Sequence, residues 1–197
     1  MKLKIYRVRE AAKLPKRAYH TDAGMDLFYC PEDENKKLEF HLTWLTAVGV
    51  AALLAPGLIV WNDYVTVPKN AVKIEVLAYQ WDWKYRLPGE DGILGKTDIN
   101  LVNDENPFGL IQGDKNGMDD LLVDGNELHL QINKPVKFEL RSLDVLHNFY
   151  VPQFRGKMDM LPGHVTFYWL TPIRTGDFEV LCAEYCGVGH YVMRGRV

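Results

Sequence analysis

A chain of 197 residues with a formal net charge of −3 and a pI near 6.1 lacks the basic surplus of a nucleic-acid-binding protein, so no nucleic-acid partner is expected. Hydrophobic residues at 47% and charged residues at 25% describe a folded protein, not a disordered one. Three cysteines, Cys30, Cys182 and Cys186, are too few for a disulfide scaffold.

In chain order the first unit is residues 1–34. "KLKIYRV" alternates as a strand does, and "LPKRAYHTDAGMDL" is rich in turn formers. A piece this short does not bury a core alone, since domains below about 40 residues usually need staples. With Ala23, Gly24, Asp26 and Leu27 in the form A-G-x-D-L, the segment resembles the opening of trimeric dUTP pyrophosphatases. Nothing later resembles that family's uracil-binding hairpin or glycine-rich phosphate tail. The expectation is a fused or misassembled gene start, or a chance likeness in a cytoplasmic extension, without nucleotide hydrolysis. Cys30 is expected to be a spectator.

The second unit, residues 35–65, contains "LTWLTAVGVAALLAPGLIVW", 20 residues without a charge. That length crosses a bilayer core of about 30 Å. A buried helix of a soluble domain would normally keep a polar face. Trp44, Trp61 and Tyr64 lie near the ends, where aromatic residues favour the interface. Residues 1–39 carry nine Lys or Arg, including Lys36 and Lys37 beside the span, against seven acids. Residues 62–197 carry 14 basic and 19 acidic groups, a net of −5. The positive-inside rule then places the N-terminus in the cytoplasm and the acidic domain outside.

The third unit, residues 66–197, reads as all-β. "AVKIEVLAYQWDWKY" is expected to form one long strand. "ELHLQI", "KPVKFELRS", "HVTFYWLTP" and "GDFEVLC" add short ones, punctuated by Pro and Gly as in a sandwich or barrel. The polar insertion between Leu87 and Asp124 is long for a plain loop and is expected to be functional or packed over the surface. Trp81 and Trp83 are expected to point to opposite faces, one of them into the core.

Near the C-terminus "CAEYCGVGHYVM" gathers Cys182, Cys186, His190 and Met193 within 12 residues, and "RSLDVLHNFYVP" offers His147 after a predicted strand. Thiolate, imidazole and thioether together form a soft donor set that favours copper. Zinc accepts Cys182, Cys186, His190 and His147 as a Cys₂His₂ site but has no use for a thioether. A disulfide requires the two cysteine Cα atoms about 4.4–6.8 Å apart. A mononuclear blue-copper site uses two His, one Cys and one Met; the extra thiolate here suggests a second, sulfur-bridged ion. His20, His41, His129 and His164 are assigned no metal.

"CAEYCGVGHYVM", "SLDVLHNFYVPQFRGKMDMLPG" and "AYQWDWKYRLPG" together resemble subunit II of the haem–copper cytochrome c oxidases, proteobacterial type, over about residues 35–197. The resemblance implies a mainly β protein, a cupredoxin-like Greek-key β-sandwich preceded by one transmembrane α-helix. It implies a dinuclear copper centre, CuA, held by His147, Cys182, Cys186, His190, Met193 and the Glu184 carbonyl. It also implies a magnesium ion bound by the Glu184 side chain at the boundary with subunit I. Trp81 would take up electrons from a c-type cytochrome, with Asp144 and then Asp159 helping to dock it. The implied place is the bacterial inner membrane, single-pass, with the copper domain periplasmic.

The resemblance has departures. That family usually has two membrane helices, and here the dUTPase-like segment stands where the first is expected, so contacts with subunit I made by that helix would be missing. The final strand is expected to be shortened after "MRGRV". Rival readings are the CuA domain of a nitrous oxide or nitric oxide reductase and a copper-less quinol oxidase subunit II. Loss of ligands would mark the latter, and all five donor side chains are present.

Overall fold

The computed structural model describes residues 33–197. The dUTPase-like motif, His20 and Cys30 lie outside the described residues. The chain divides into two units, Met1–Ile59 and Val60–Val197.

Helix α1 runs through Asp33–Val65, further in both directions than the apolar run alone suggests. Its segment Lys37–Val65, 29 residues, is long and apolar enough to cross a membrane. At 1.5 Å per residue that is about 44 Å, more than a bilayer core. Leu45, Leu53, Ile59 and Val60 are all exposed. Pro56 sits inside the helix. The Thr46 hydroxyl donates back to the Leu42 and Thr43 carbonyls, which keeps this polar group satisfied within the helix.

The Val60–Val197 unit is a β-sandwich. One sheet has the order β3-β2-β1-β4-β7 and the other β6-β5-β8-β9. The first is built from β1 (Val72–Tyr79), β2 (Asp82–Leu87), β3 (Leu121–Asp124), β4 (Val136–Ser142) and β7 (Thr166–Leu170). The second contains β5 (His147–Val151), β6 (Gly156–Met160), β8 (Glu179–Cys182) and β9 (Arg194–Arg196). All pairings are antiparallel except β1 with β4. Alternation along β4 sends Val136, Phe138, Leu140 and Ser142 inward. They meet Phe149, Val151, Met160 and Val180 of the other sheet. Phe149 is the hinge of this contact: its ring lies 5.4 Å from Trp83, nearly perpendicular, and 5.6 Å from Phe138. The mainly β sandwich with one apolar helix is therefore the architecture that the sequence implied.

Three local expectations change. "AVKIEVLAYQWDWKY" is not one strand but a hairpin, folding back between Tyr79 and Asp82. The turn is held from outside, where the Gln80 N–H donates to Asp144, and from within, where the Trp83 N–H donates to Asp82 Oδ1 at 2.8 Å. Residues two apart in one strand share a face, so it is the turn that separates Trp81 from fully buried Trp83. "ELHLQI" is not a strand either. Glu127 makes an isolated bridge to Arg196, and buried Leu128 explains the apolar alternation without a ladder.

The insertion packs over the outer face of the first sheet. There Glu75 and Arg86, opposite each other in the β1–β2 register, are almost fully buried. Arg86 also donates to the Gly95 carbonyl and to Asp120, at 2.9 and 2.7 Å. Arg141 reaches Glu75 and the Phe108 carbonyl from β4. A neutralised charge network thus nails the insertion to the sheet.

Candidate metal centre

Three segments converge at one end of the sandwich. His147 opens β5, Cys182 closes β8, and the loop from there to β9 carries Glu184, Cys186, His190 and Met193. The strand pairing fixes the approach: Phe149 lies opposite Cys182, and the Cys182 N–H donates to the Met193 carbonyl at 3.2 Å. The Ala183 N–H, in turn, donates to the Asn148 carbonyl.

The sulfurs of Cys182 and Cys186 stand 3.7 Å apart, and both are free thiols. An S–S bond is about 2.05 Å long, so this is a pair and not a disulfide. One imidazole lies against each sulfur. His147 Nδ1 is 3.8 Å from Cys182 Sγ, and His190 Nδ1 is 3.6 Å from Cys186 Sγ. Met193 Sδ is 3.8 Å from Cys186 Sγ, and the Glu184 carbonyl oxygen is 3.2 Å from Cys182 Sγ. Donors placed tetrahedrally about 2.3 Å from one ion are about 3.8 Å apart, so these spacings suit shared metal ligation. The ligand atoms of His147, Cys182 and Cys186 all lie within 4.8 Å of one another. Five of the six expected ligating groups are thus linked through the two sulfurs as side chains, and the sixth through its backbone.

His147, Cys182, Cys186 and Met193 are buried, so the donor atoms are shielded from bulk water. The two thiols differ in acidity. Burial raises the Cys182 thiol, but its contacts with His147 and backbone groups outweigh this and bring it down to about 6. Burial and the neighbouring Cys182 sulfur push Cys186 up to about 12. The physical content is one proton held between two close sulfurs. A metal bound by both sulfurs as thiolates would displace that remaining proton.

Asp144 is turned inward. Its Oδ1 faces His147 Nε2 at 2.8 Å and accepts from the Val145 N–H at 2.6 Å, while Oδ2 accepts from the Gln80 N–H at 2.7 Å. Burial raises its carboxyl, and these hydrogen bonds more than reverse that, lowering it. For His147 burial works downward, and the Cys182 and Asp144 contacts win and raise it. A carboxylate behind a ligating histidine fixes the ring's orientation. Asp159 is exposed and accepts from Asn148 Nδ2 at 2.6 Å.

Trp81 lies directly over the ligand loop. Its indole N–H donates to the Cys186 carbonyl at 3.1 Å, and the Gln80 side-chain amide donates to the same oxygen at 2.8 Å. Two glycines make this approach feasible: a Cβ at Gly189 would collide with the Trp81 ring, and one at Gly187 would come within 2.9 Å of Gln80 Nε2. Gly187 also has φ of +116°, a region that disfavours other residues. Sequence reading missed Gln80, whose one signal was its position beside Trp81 in "QWDW". It also missed the apolar surface around the loop, where Tyr185, Val188 and Tyr191 are each at least 74% exposed.

Residues 72–196 match the family described as cytochrome C oxidase subunit II, periplasmic domain. The chain is 55% identical over 179 residues to an alternative cytochrome c oxidase subunit 2 of Bradyrhizobium diazoefficiens, covering 91% of this chain and 64% of that protein. It is 29% identical over 167 residues to cytochrome c oxidase subunit 2 of Cereibacter sphaeroides, covering 81% of this chain and 55% of that protein. The chain thus spans somewhat more than half the length of either relative. Among solved structures, the periplasmic domain of cytochrome oxidase subunit II from Bradyrhizobium japonicum aligns with a TM-score of 0.47 and 25% identity, over 66% of this chain and 85% of that one. A family match running from β1 into β9, with the whole sulfur and histidine cluster inside it, makes this chain a member of the cytochrome c oxidase subunit II family.

Proposed function

We propose that the chain is the electron-accepting subunit of a haem–copper cytochrome c oxidase. In this reading His147, Cys182, Cys186, His190, Met193 and the Glu184 carbonyl hold a dinuclear copper centre. Copper held there would supply a one-electron carrier between a c-type cytochrome and haem in subunit I, where oxygen is reduced to water. The carrying observation is six donor groups gathered around two sulfurs 3.7 Å apart, with an imidazole against each, which is more than the four donors one tetrahedral ion uses. Met193 beside Cys186 adds a soft donor that zinc does not use. The presence of every donor disfavours the copper-less quinol oxidase reading.

The remaining residues act on position, solvent and docking. The buried setting of both thiols excludes water, and Asp144 orients His147 through its hydrogen bond. Trp81, partly exposed and bonded to the Cys186 carbonyl, is the uptake point for electrons. The exposed Tyr185, Val188 and Tyr191 supply an apolar contact surface, and Asp159 with the free edge of Asp144 supplies negative charge for a basic cytochrome. The Glu184 side chain holds a magnesium ion toward subunit I. The membrane helix anchors the chain in a bacterial inner membrane, N-terminus inside and the copper domain in the periplasm, with residues 1–34 as a separate extension, 35–65 as the anchor and 66–197 as the copper domain.

Copper loading of the full chain in detergent tests this. Two coppers per chain are expected, with an electron paramagnetic resonance pattern of one unpaired electron shared by two nuclei. Trp81→Phe is expected to keep that pattern while slowing reduction by a c-type cytochrome at least tenfold. One copper per chain with a mononuclear spectrum overturns the reading.

A further inference from the structure

Gln80 touches both halves of the ligand set at once. Its backbone N–H donates to Asp144, the carboxylate that faces His147, at 2.7 Å. Its side-chain amide donates to the carbonyl of Cys186 at 2.8 Å. His147 comes from β5, and Cys186 from the loop between β8 and β9. Beyond the β5–β8 ladder, Gln80 is therefore a second and separate tie between the two segments that carry the ligands.

The ligand loop is shaped to admit this residue. Gly187, adjacent to Cys186, has a positive φ of +116°, and a Cβ there would stand 2.9 Å from Gln80 Nε2. A side chain at 187 would crowd the amide at the Cys186 carbonyl, on a backbone already unfavourable for it. The two observations are independent: one is a hydrogen bond, the other an absence of side chain where the bond needs room.

Resting on the dinuclear copper reading, we infer that Gln80 is a positioning residue that sets the spacing of Cys186 relative to His147 and so governs the electronic symmetry of the bound pair. The amide pulls on the backbone oxygen of a sulfur ligand while the N–H holds the carboxylate behind a nitrogen ligand. Losing the side-chain donor loosens the Cys186 end alone, leaving its carbonyl to the Trp81 indole N–H, since the backbone N–H to Asp144 remains. Groups of this kind around metal ligands typically change metal affinity by about 10–100-fold when removed.

The test compares wild-type full chain with Gln80→Glu, which keeps the shape and replaces the donor by an acceptor, and with Gln80→Met, which removes it. Each is loaded with copper; copper per chain, the electron paramagnetic resonance hyperfine pattern and the rate of copper loss to a chelator are measured. Leu128→Ala, a core variant at a residue outside the ligand set, controls for general destabilisation. Both Gln80 variants are expected to keep two coppers, to lose equivalence of the two nuclei in the hyperfine pattern, and to release copper at least tenfold faster. Leu128→Ala is expected to change neither readout. Gln80 variants with the wild-type pattern and release rate overturn the inference, as does Leu128→Ala producing the same spectral change. Should a Gln80 variant not fold, Gly187→Ala crowds the same amide from the other side, and a wild-type spectrum there is equally fatal. A wild-type chain that shows no dinuclear signal at all sinks the copper reading instead, which separates the two failures.

Discussion

Arg86 and Glu75 lie opposite each other on β2 and β1, with Arg86 Nε and Nη2 reaching the same Glu75 oxygen at 2.7 and 2.5 Å. Both side chains are at most 5% exposed, and Arg141 and Asp120 complete the neutralisation. This pair sits on the sheet face turned away from the sandwich core, where the insertion and Arg141 cover it. Removing one partner leaves a buried charge uncompensated, which costs about 3–5 kcal/mol. Glu75→Gln is therefore expected to lower unfolding stability by about that amount in denaturant titration. Copper per folded chain should stay unchanged, because the network lies outside the ligand set.

Cys186→Ser removes one of the two sulfurs while leaving His147, Cys182, His190 and Met193 in place. The shared-electron spectrum is expected to vanish, leaving at most one copper per chain with a mononuclear pattern. Metal analysis and electron paramagnetic resonance on the same sample check this. Survival of the dinuclear signal would show the ligand set to be wrong.

Gly189→Ala places a methyl group into the Trp81 ring. Overpacking of this kind costs about 1–3 kcal/mol. The ring is expected to lift off the loop, weakening its hydrogen bond to the Cys186 carbonyl. A shift in tryptophan emission together with slower electron uptake would report it, and Gly156→Ala, where a Cβ meets nothing closer than 3.8 Å, serves as a control for loss of a glycine.

Tyrosine ionisation gives a prediction at high pH. Burial, followed by the nearby charges of Asp82 and Asp124, pushes Tyr79 up to about 12. Burial raises Tyr85 and Tyr168 as well. An acid whose folded-state value is raised binds its proton more tightly in the native state. Its contribution to stability is complete below pH 10, the ordinary tyrosine value, and is lost as pH rises toward the folded value. Ultraviolet titration should show these three rings resisting ionisation above pH 10, with thermal stability falling steadily from about pH 10 upward. Early ionisation of all ten tyrosines below pH 11 would contradict the buried placement.

Copper itself should stabilise the fold. A ligand bound only to the native state at a thousand times its dissociation constant adds about 4 kcal/mol. Thermal unfolding of wild-type chain is expected to shift upward with copper and back with a chelator. His147→Ala should abolish most of that shift.

The sequence disclosed the site better than its surroundings. Cys182, Cys186, His190 and Met193 are legible because they fall within 12 residues on one loop, where spacing and soft-donor chemistry speak without a fold. Strands β4, β7 and β8 are legible because alternation or apolar density dominates them. The β1–β2 hairpin is not, because its turn contains neither Gly nor Pro and is held by Asp144, 64 residues from Gln80. The inward role of Asp144 was hidden for the same reason: a carboxylate three residues before a histidine looks like a surface acid until the strand opening at His147 turns the two together. The covering role of the insertion depends on Arg86, a charge inside a strand that reads as solvent-facing in sequence and is buried in fact.

The Cys186 carbonyl receives its two donors from residues 106 and 105 positions earlier in the chain. At a synthesis rate of about 5–20 residues per second, the Gln80–Trp81 turn leaves the ribosome several seconds before the loop that it will hold. During that interval the turn has no loop to grip, and afterwards the two thiols lack their final spacing until β8 and β9 join the second sheet. In the proposed reading copper capture therefore has to wait for the C-terminal loop. Metal supplied during synthesis should gain nothing over metal supplied afterwards, and copper occupancy becomes a receipt for completed folding.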